Sequence, residues 1–219
     1  MKIIAIGDSI TEGFPYTREE SWVTFLGQEL HCEIINKGIN GDLTQNIHDR
    51  FGRDVLAFNP THVIILGGTN DAYAKYPLEI VSPHFTAMIK MSREHGIIPI
   101  IGLPIPSLAA DDEFFLQQYR NWLIDCAKMN NLPLINFYAP FLKRLEAGEE
   151  SKLFVDEVHP SLEGYKFMAE IVENDLFVAE EVPEEWKALG AERLLLNTAQ
   201  NALIQATGGI IRAGKVKGD

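Results

Sequence analysis

The sequence predicts an α/β protein built as a three-layer sandwich, a parallel sheet with helices on both faces. Three observations predict it. Five short runs, at residues 2–6, 33–36, 62–66, 97–102 and 134–137, are apolar almost throughout and rich in β-branched residues, as strands are when helices cover both faces of their sheet. Longer stretches at 19–30, 44–58, 77–95, 112–130 and 161–173 carry helical periodicity and alternate with those runs, the pattern of right-handed strand–helix–strand crossovers. The residue types that do chemistry fall directly after the runs, and in open parallel sheets the site lies beyond the carboxyl ends of the strands.

Taken in order, the first run leads into Gly7-Asp8-Ser9, the second into residues 38–42 and the third into residues 67–71. The fourth leads into residues 103–106, and residues 156–160 come after the fifth run and a further helix. Five segments are therefore expected at one edge of the sheet. The chain then changes character. Residues 180–185 are acidic and contain proline, and residues 186–206 have a helical pattern with Leu189, Leu194, Leu195, Leu196, Ala199, Ala202, Leu203 and Ala206. The expected organisation is a domain over 1–180 and an extension over 181–219, a helix followed by a glycine-rich, mildly basic tail. That helix is expected to bury its leucines on its own domain or to associate subunits into a homo-oligomer.

Composition narrows the partners. In 219 residues, 46% hydrophobic side chains suffice for a sizeable core, and a formal net charge of -12 repels the phosphates of nucleic acid and of anionic membranes. Neither partner is expected. The two cysteines, Cys32 and Cys126, lack metal-ligand spacing and read as free structural thiols. The first apolar run has five residues, short of the roughly 7–15 of a signal core, and no run approaches the 18 or more that span a bilayer. A cytoplasmic protein without stable membrane association is expected.

Ser9 follows a strand and a Gly-Asp turn, which presents its hydroxyl at the sheet edge, although such a serine is also ordinary turn chemistry. Asp156-Glu157-Val158-His159-Pro160 changes the balance. In a tight turn the Asp156 carboxylate can reach Nδ1–H of His159, leaving Nε2 to take a proton from Ser9. The other histidines, His31, His48, His62, His84 and His95, sit on helical stretches or open a strand, and no two have metal-ligand spacing. Attack on an ester also needs donors for the oxyanion. Gly41 can bring a backbone N–H close because it has no Cβ, Asn70 offers a side-chain amide, and Ser9 has its own N–H. Gly41 can equally be a plain turn, and Asn70 a helix N-cap.

Together these four segments resemble the SGNH subgroup of the GDSL hydrolases, a family of esterases and lipases. Gly7-Asp8-Ser9-Ile10 resembles its first block with isoleucine in place of leucine, and Asn36-Lys37-Gly38-Ile39-Asn40-Gly41-Asp42 its second. Gly68-Thr69-Asn70-Asp71 resembles its third block and Asp156-x-x-His159-Pro160 its last, so the likeness runs over residues 1 to about 178. The resemblance implies a flavodoxin-like five-stranded sheet in the order 2-1-3-4-5. It further implies Gly41, not Gly38, as the oxyanion donor, and hydrolysis of carboxylic esters through an acyl-enzyme with no metal and no cofactor. Short loops without a lid-like insertion point to short acyl groups, such as acetyl on a sugar or another small alcohol; lysophospholipase and acyl-thioesterase activities also occur in the family. Phe14, Tyr16, Tyr73, Leu103, Ile105, Pro106 and Val158 flank the catalytic loops as candidate pocket residues. Two other readings stand beside this one: a metal-dependent hydrolase using Asp8, Asp42, Asp71, Asp156 and His159, and a non-catalytic ligand-binding module on the same fold.

Overall fold

A computed structural model describes residues 1–177; the expected extension over 181–219, with its association helix, lies outside the described residues. Five strands form one parallel sheet: β1 (Ile3–Gly7), β2 (Ile34–Gly38), β3 (His62–Leu66), β4 (Ile98–Leu103) and β5 (Leu134–Asn136). Their order is β2-β1-β3-β4-β5, as the family resemblance implies. The register sets the site. Gly7 lies beside Gly38 on one side and Leu66 on the other, so three strands end level and release their loops at the same edge.

The helices are α1 (Ser9–Glu12), α2 (Trp22–Glu29), α3 (Thr44–Asp49), α4 (Phe51–Asp54), α5 (Thr69–Tyr73), α6 (Leu78–Glu94), α7 (Ala110–Met129), α8 (Tyr138–Glu146), α9 (Glu150–Leu153) and α10 (Leu162–Ile171). Alternate strand residues feed two cores, because successive side chains of a strand point to opposite faces. Ile3, Ala5, Ile64 and Leu66 pack with Trp22, Leu26, Phe141 and Met168, while Ile4, Ile6, Val63 and Ile65 pack with Phe51, Phe85, Leu116 and Leu123. Burial on both faces explains why β1, β3 and β4 read as unbroken apolar runs, each such side chain contributing about 1.5–3 kcal/mol, while the edge strands β2 and β5 are only partly buried.

Two local differences from the sequence reading concern the site. Ser9 does not sit in a bare turn but opens α1. Asp8 caps this helix, its Oδ1 accepting the N–H of Ile10 at 3.0 Å, and Gly13 ends it at φ +112°, a value open to glycine without strain. The stretch 44–58 is not one helix. It breaks at Arg50 (φ −95°, ψ 0°) into α3, α4 and a 3₁₀ turn over Leu56–Phe58. Ile47, Phe51 and Val55 are all buried, so the four-residue spacing survives the break and hides it in the sequence.

Candidate active site

Ser9 enters the site because β1 ends at Gly7 and α1 begins two residues later. The first N–H groups of a helix have no acceptor within it, so the N–H of Ser9 stands outside the ladder of α1. The Ser9 Oγ lies 3.1 Å from His159 Nε2. His159 belongs to a loop closed by the Phe154–Pro160 bridge and by the bond from Val155 N–H to its own carbonyl at 3.0 Å. Within it, Asp156 Oδ2 meets His159 Nδ1 at 2.8 Å, and Oδ1 accepts the N–H groups of Val158 at 2.9 Å and His159 at 2.7 Å. Partial burial pushes the Asp156 carboxyl up, but those two backbone donors and the imidazole outweigh it and leave it below its ordinary value. An ionised carboxylate can only accept, so Nδ1 of His159 is the donor in that pair and Nε2 is the ring nitrogen that faces Ser9.

Two supports hold this loop. The Phe14 ring packs 4.7 Å from the His159 ring at 59°, and the carbonyl of Phe14 accepts the Tyr165 hydroxyl at 2.5 Å. On the other side the segment after β4 grips the Glu157 carbonyl, which accepts the N–H of Leu108 at 2.8 Å. Buried Arg120 holds that segment through the carbonyl of Ile105 at 3.2 Å and through Glu113, whose other oxygen accepts the N–H of Ser107 at 3.0 Å.

The expected oxyanion donors lie on the neighbouring loops. Gly41 has φ +82°, and among the described residues, its chain neighbours aside, no atom lies within 4 Å of where a Cβ would stand. Asn70 is the second residue of α5; the N-cap is Gly68, not Asn70. Its amide donates one hydrogen to the carbonyl of Asp42 at 2.9 Å, which links the loop after β3 to the loop after β2 and leaves a second N–H for other use. Asp71 fastens the same two loops, its oxygens accepting the N–H of Thr44 at 2.9 Å and its hydroxyl at 2.7 Å.

The carboxylates that the metal-dependent reading would gather are engaged elsewhere: Asp42 with Arg50 at 2.6 Å, Asp71 with Thr44, Asp156 with His159 and Asp8 with its helix. Asp8 is fully buried, and its Oδ2 has no hydrogen-bond partner among the described residues. Burial pushes its carboxyl up to about 7, with the charges of Asp71 and Asp42 adding to the rise. Of the candidate pocket residues, Leu103, Ile105 and Pro106 are buried and Tyr16 packs edge-on against Tyr165. Phe14 (38% exposed) and Tyr73 (76%) reach solvent, and Val158 is half-buried. Sequence reasoning missed Arg50 and the Glu113–Arg120 pair. The signal for Arg50 was an arginine among apolar Ile47, Phe51 and Val55, but charged residues at helical spacing usually read as a solvated face.

The model of the GDSL-like lipase/acylhydrolase family matches residues 5–167. The chain belongs to this family. Among solved structures, a lipolytic protein of the G-D-S-L family from Desulfitobacterium hafniense DCB-2 superposes with a TM-score of 0.73 at 36% identity, over 80% of this chain and 99% of that one. The lipoprotein YqeF of Bacillus subtilis is 30% identical over 133 residues, and that match spans 55% of each protein. The acetylxylan esterase of Geobacillus stearothermophilus is 24% identical over 197 residues, 77% of this GDSL-family chain and 90% of the esterase. Among the described residues no helix is long and apolar enough to cross a membrane.

Proposed function

We propose that this chain is a serine esterase in which Ser9 is the nucleophile, His159 the general base and then acid, and Asp156 the group that orients and stabilises the imidazolium. The observation that carries the proposal is the unbroken line from Asp156 Oδ2 to His159 Nδ1 at 2.8 Å and from His159 Nε2 to Ser9 Oγ at 3.1 Å. His159 takes the proton of Ser9 as Oγ attacks the acyl carbon, and the carbonyl oxygen becomes an oxyanion between the N–H groups of Ser9 and Gly41 and the free amide hydrogen of Asn70. The tetrahedral intermediate collapses, His159 gives its proton to the leaving alcohol, and water repeats the cycle on the acyl-enzyme. Each preorganised donor lowers the barrier by about 3–4 kcal/mol. None of these steps calls on a metal or cofactor.

The substrate class is an ester of a short acyl group with a small alcohol or sugar. Short segments join each strand to the next helix at this edge, residues 39–43 after β2 and 104–109 after β4, and none is long enough to cover a long acyl chain. The half-exposed Phe14 ring beside His159 offers an apolar surface to the departing alcohol, and the relative named an acetylxylan esterase fits an acetylated sugar. The domain over 1–180 carries this activity in the cytoplasm, and residues 181–219 associate subunits; cell fractionation tests the first and light scattering on the chain with and without residues 181–219 the second.

A p-nitrophenyl ester series from C2 to C16, with a fluorophosphonate probe, tests the function. Wild type should turn over the C2 and C4 esters fastest and be labelled at Ser9, and Ser9→Ala should lose both while melting at an unchanged temperature. Turnover retained in Ser9→Ala overturns the assignment, and a maximum at C12–C16 replaces the short-acyl reading with a long-chain one.

A further inference from the structure

The three oxyanion donors come from three loops that share no covalent link nearby. Donors stabilise a developing charge only when they are already aimed at it, and a site held about 1 Å too loosely loses most of that effect. The loop carrying Gly41 is the least enclosed of the three, with Gly41 itself exposed and no neighbour packed over it. Its own backbone supplies two bonds, Ile39 N–H to the carbonyl of Gly7 at 3.1 Å and Asp42 N–H to that of Ile39 at 3.2 Å. Glu12 adds a third by accepting the N–H of Asn40 at 2.8 Å.

Arg18 holds the start of the loop through the carbonyl of Gly38 at 2.9 Å and the Asn70 amide holds its end through Asp42, but one buried side chain reaches both ends and the end of β1 as well. Arg50 is 8% exposed and stands at the break between α3 and α4. Its Nη2 donates to the carbonyl of Gly7 at 2.8 Å, its Nη1 to the carbonyl of Lys37 at 2.8 Å and to Asp54 Oδ2 at 3.2 Å, and its Nε to Asp42 Oδ2 at 2.6 Å. Gly7 is the last residue of β1, two before Ser9. Lys37 precedes the end of β2, and Asp42 follows Gly41. The carbonyl of Asp42 in turn receives the Asn70 amide. One planar group thus touches the strand end that leads to Ser9, both ends of the loop that carries Gly41, and, through Asp42, the orientation of Asn70.

We propose that Arg50 is the positioning residue of the oxyanion hole, fixing the three donor segments relative to one another through its fork of bonds to Gly7, Lys37 and Asp42. The inference rests on the esterase reading of the site. It explains the residue type. A guanidinium offers five donors spread over three nitrogens in a fixed plane, whereas a lysine ammonium carries its three on one nitrogen and cannot span acceptors that Arg50 meets with Nε, Nη1 and Nη2. The two carboxylates on Arg50 offset its desolvation, so moving Asp42 away would leave the buried cation with Asp54 alone.

Arg50→Lys and Asp42→Asn in the full chain test this, each alone and combined with Asn70→Ala, using the C2 p-nitrophenyl ester. The expected result is a fall in kcat of about 10²-fold for Arg50→Lys with KM changed less than about threefold, because the donors act chiefly in the transition state. On the Asn70→Ala background the Arg50→Lys effect should shrink by about tenfold, since one of the donors it positions is already gone. Asp42→Asn should move the same readouts in the same direction and less far. A folded Arg50→Lys with wild-type kcat overturns the proposal, and so does a loss that multiplies unchanged onto Asn70→Ala, which is what a purely structural role gives. If thermal melting shows that Arg50→Lys does not fold, Asp42→Asn decides by the same two criteria. Absence of wild-type turnover and of Ser9 labelling would instead refute the esterase reading itself, and this inference with it.

Discussion

Asp8→Asn isolates a cost built into the floor of the site. Asp8 is fully buried beside Ser9; one oxygen caps α1 through Ile10 and the other has no partner among the described residues. Burial raises its carboxyl from 3.8 to about 7, and the neighbouring charges of Asp71 and Asp42 add to this. Because the folded value lies above the unfolded one, the native state holds the extra proton between those limits, and stability falls as pH rises through that window. One pKa unit corresponds to about 1.4 kcal/mol, so the full loss is about 4 kcal/mol, a large share of the roughly 5–15 kcal/mol that stabilises a domain. Asparagine keeps the cap and cannot ionise. Its amide hydrogens meet the same partnerless space as the hydroxyl of the neutral acid, so wild type and variant should have similar stability at acid pH. Denaturant melts at whole pH units from 4 to 9 should show Asp8→Asn pulling ahead steadily, reaching about 4 kcal/mol by pH 8. Activity gives a second readout: ionised Asp8 would sit next to Ser9, the proposed nucleophile, and repel the oxyanion formed on its substrate, so wild-type kcat should drop above pH 7 relative to the variant. Two stability curves that run parallel from pH 4 to 9 would refute the reasoning.

Three further perturbations act on separate parts of the site. Asp156→Asn turns an amide toward His159 Nδ1, favours the tautomer with its proton on Nε2 and should lower kcat by about 10²–10⁴-fold with the melting temperature nearly unchanged; the lower figure applies because Asp156 is 47% exposed and water can replace it in part, and a loss under tenfold would refute its role. Gly41→Ala meets no atom but forces a side chain to φ +82°, whereas Gly38→Ala drives a Cβ to 2.1 Å from the backbone nitrogen of Glu12. Calorimetry should therefore find Gly41→Ala folded, about 1 kcal/mol less stable and slow in turnover, and Gly38→Ala unfolded or nearly so; equal melting temperatures would contradict the packing. Phe14→Ala removes the ring against His159 and should lower kcat/KM more for esters of ring alcohols than for ethyl acetate, with Phe14→Leu intermediate; equal losses on both would show that Phe14 acts only by steadying His159.

The sheet was legible because its physics is local. A strand covered on both faces must be apolar along its length, so the three central runs could be read directly, and the strand–helix alternation left a parallel sheet as the natural outcome. Asp156 and His159 were equally readable, three residues apart in one turn, where chain geometry alone brings carboxylate to imidazole. The strand order came from resemblance rather than from pattern. The segment 44–58 misled for a reason that is also physical: buried residues four apart look the same in one helix and in two short ones with a common face.

What the sequence determines by itself in this protein is therefore which segments are strands, which loops follow them and which side chains those loops carry. The tertiary structure decides what depends on partners far along the chain. Ser9 and His159 are 150 residues apart, Arg50 and the carbonyl of Gly7 are 43 apart, and Tyr165 reaches Phe14 across 151. No local pattern encodes those pairings, because they exist only once the register sets three strand ends level and the helices close over them. The same enclosure makes Arg50 a brace instead of a surface charge and holds the Asp8 carboxyl near 7, since desolvation is a property of the packed whole and not of a residue's neighbours in sequence.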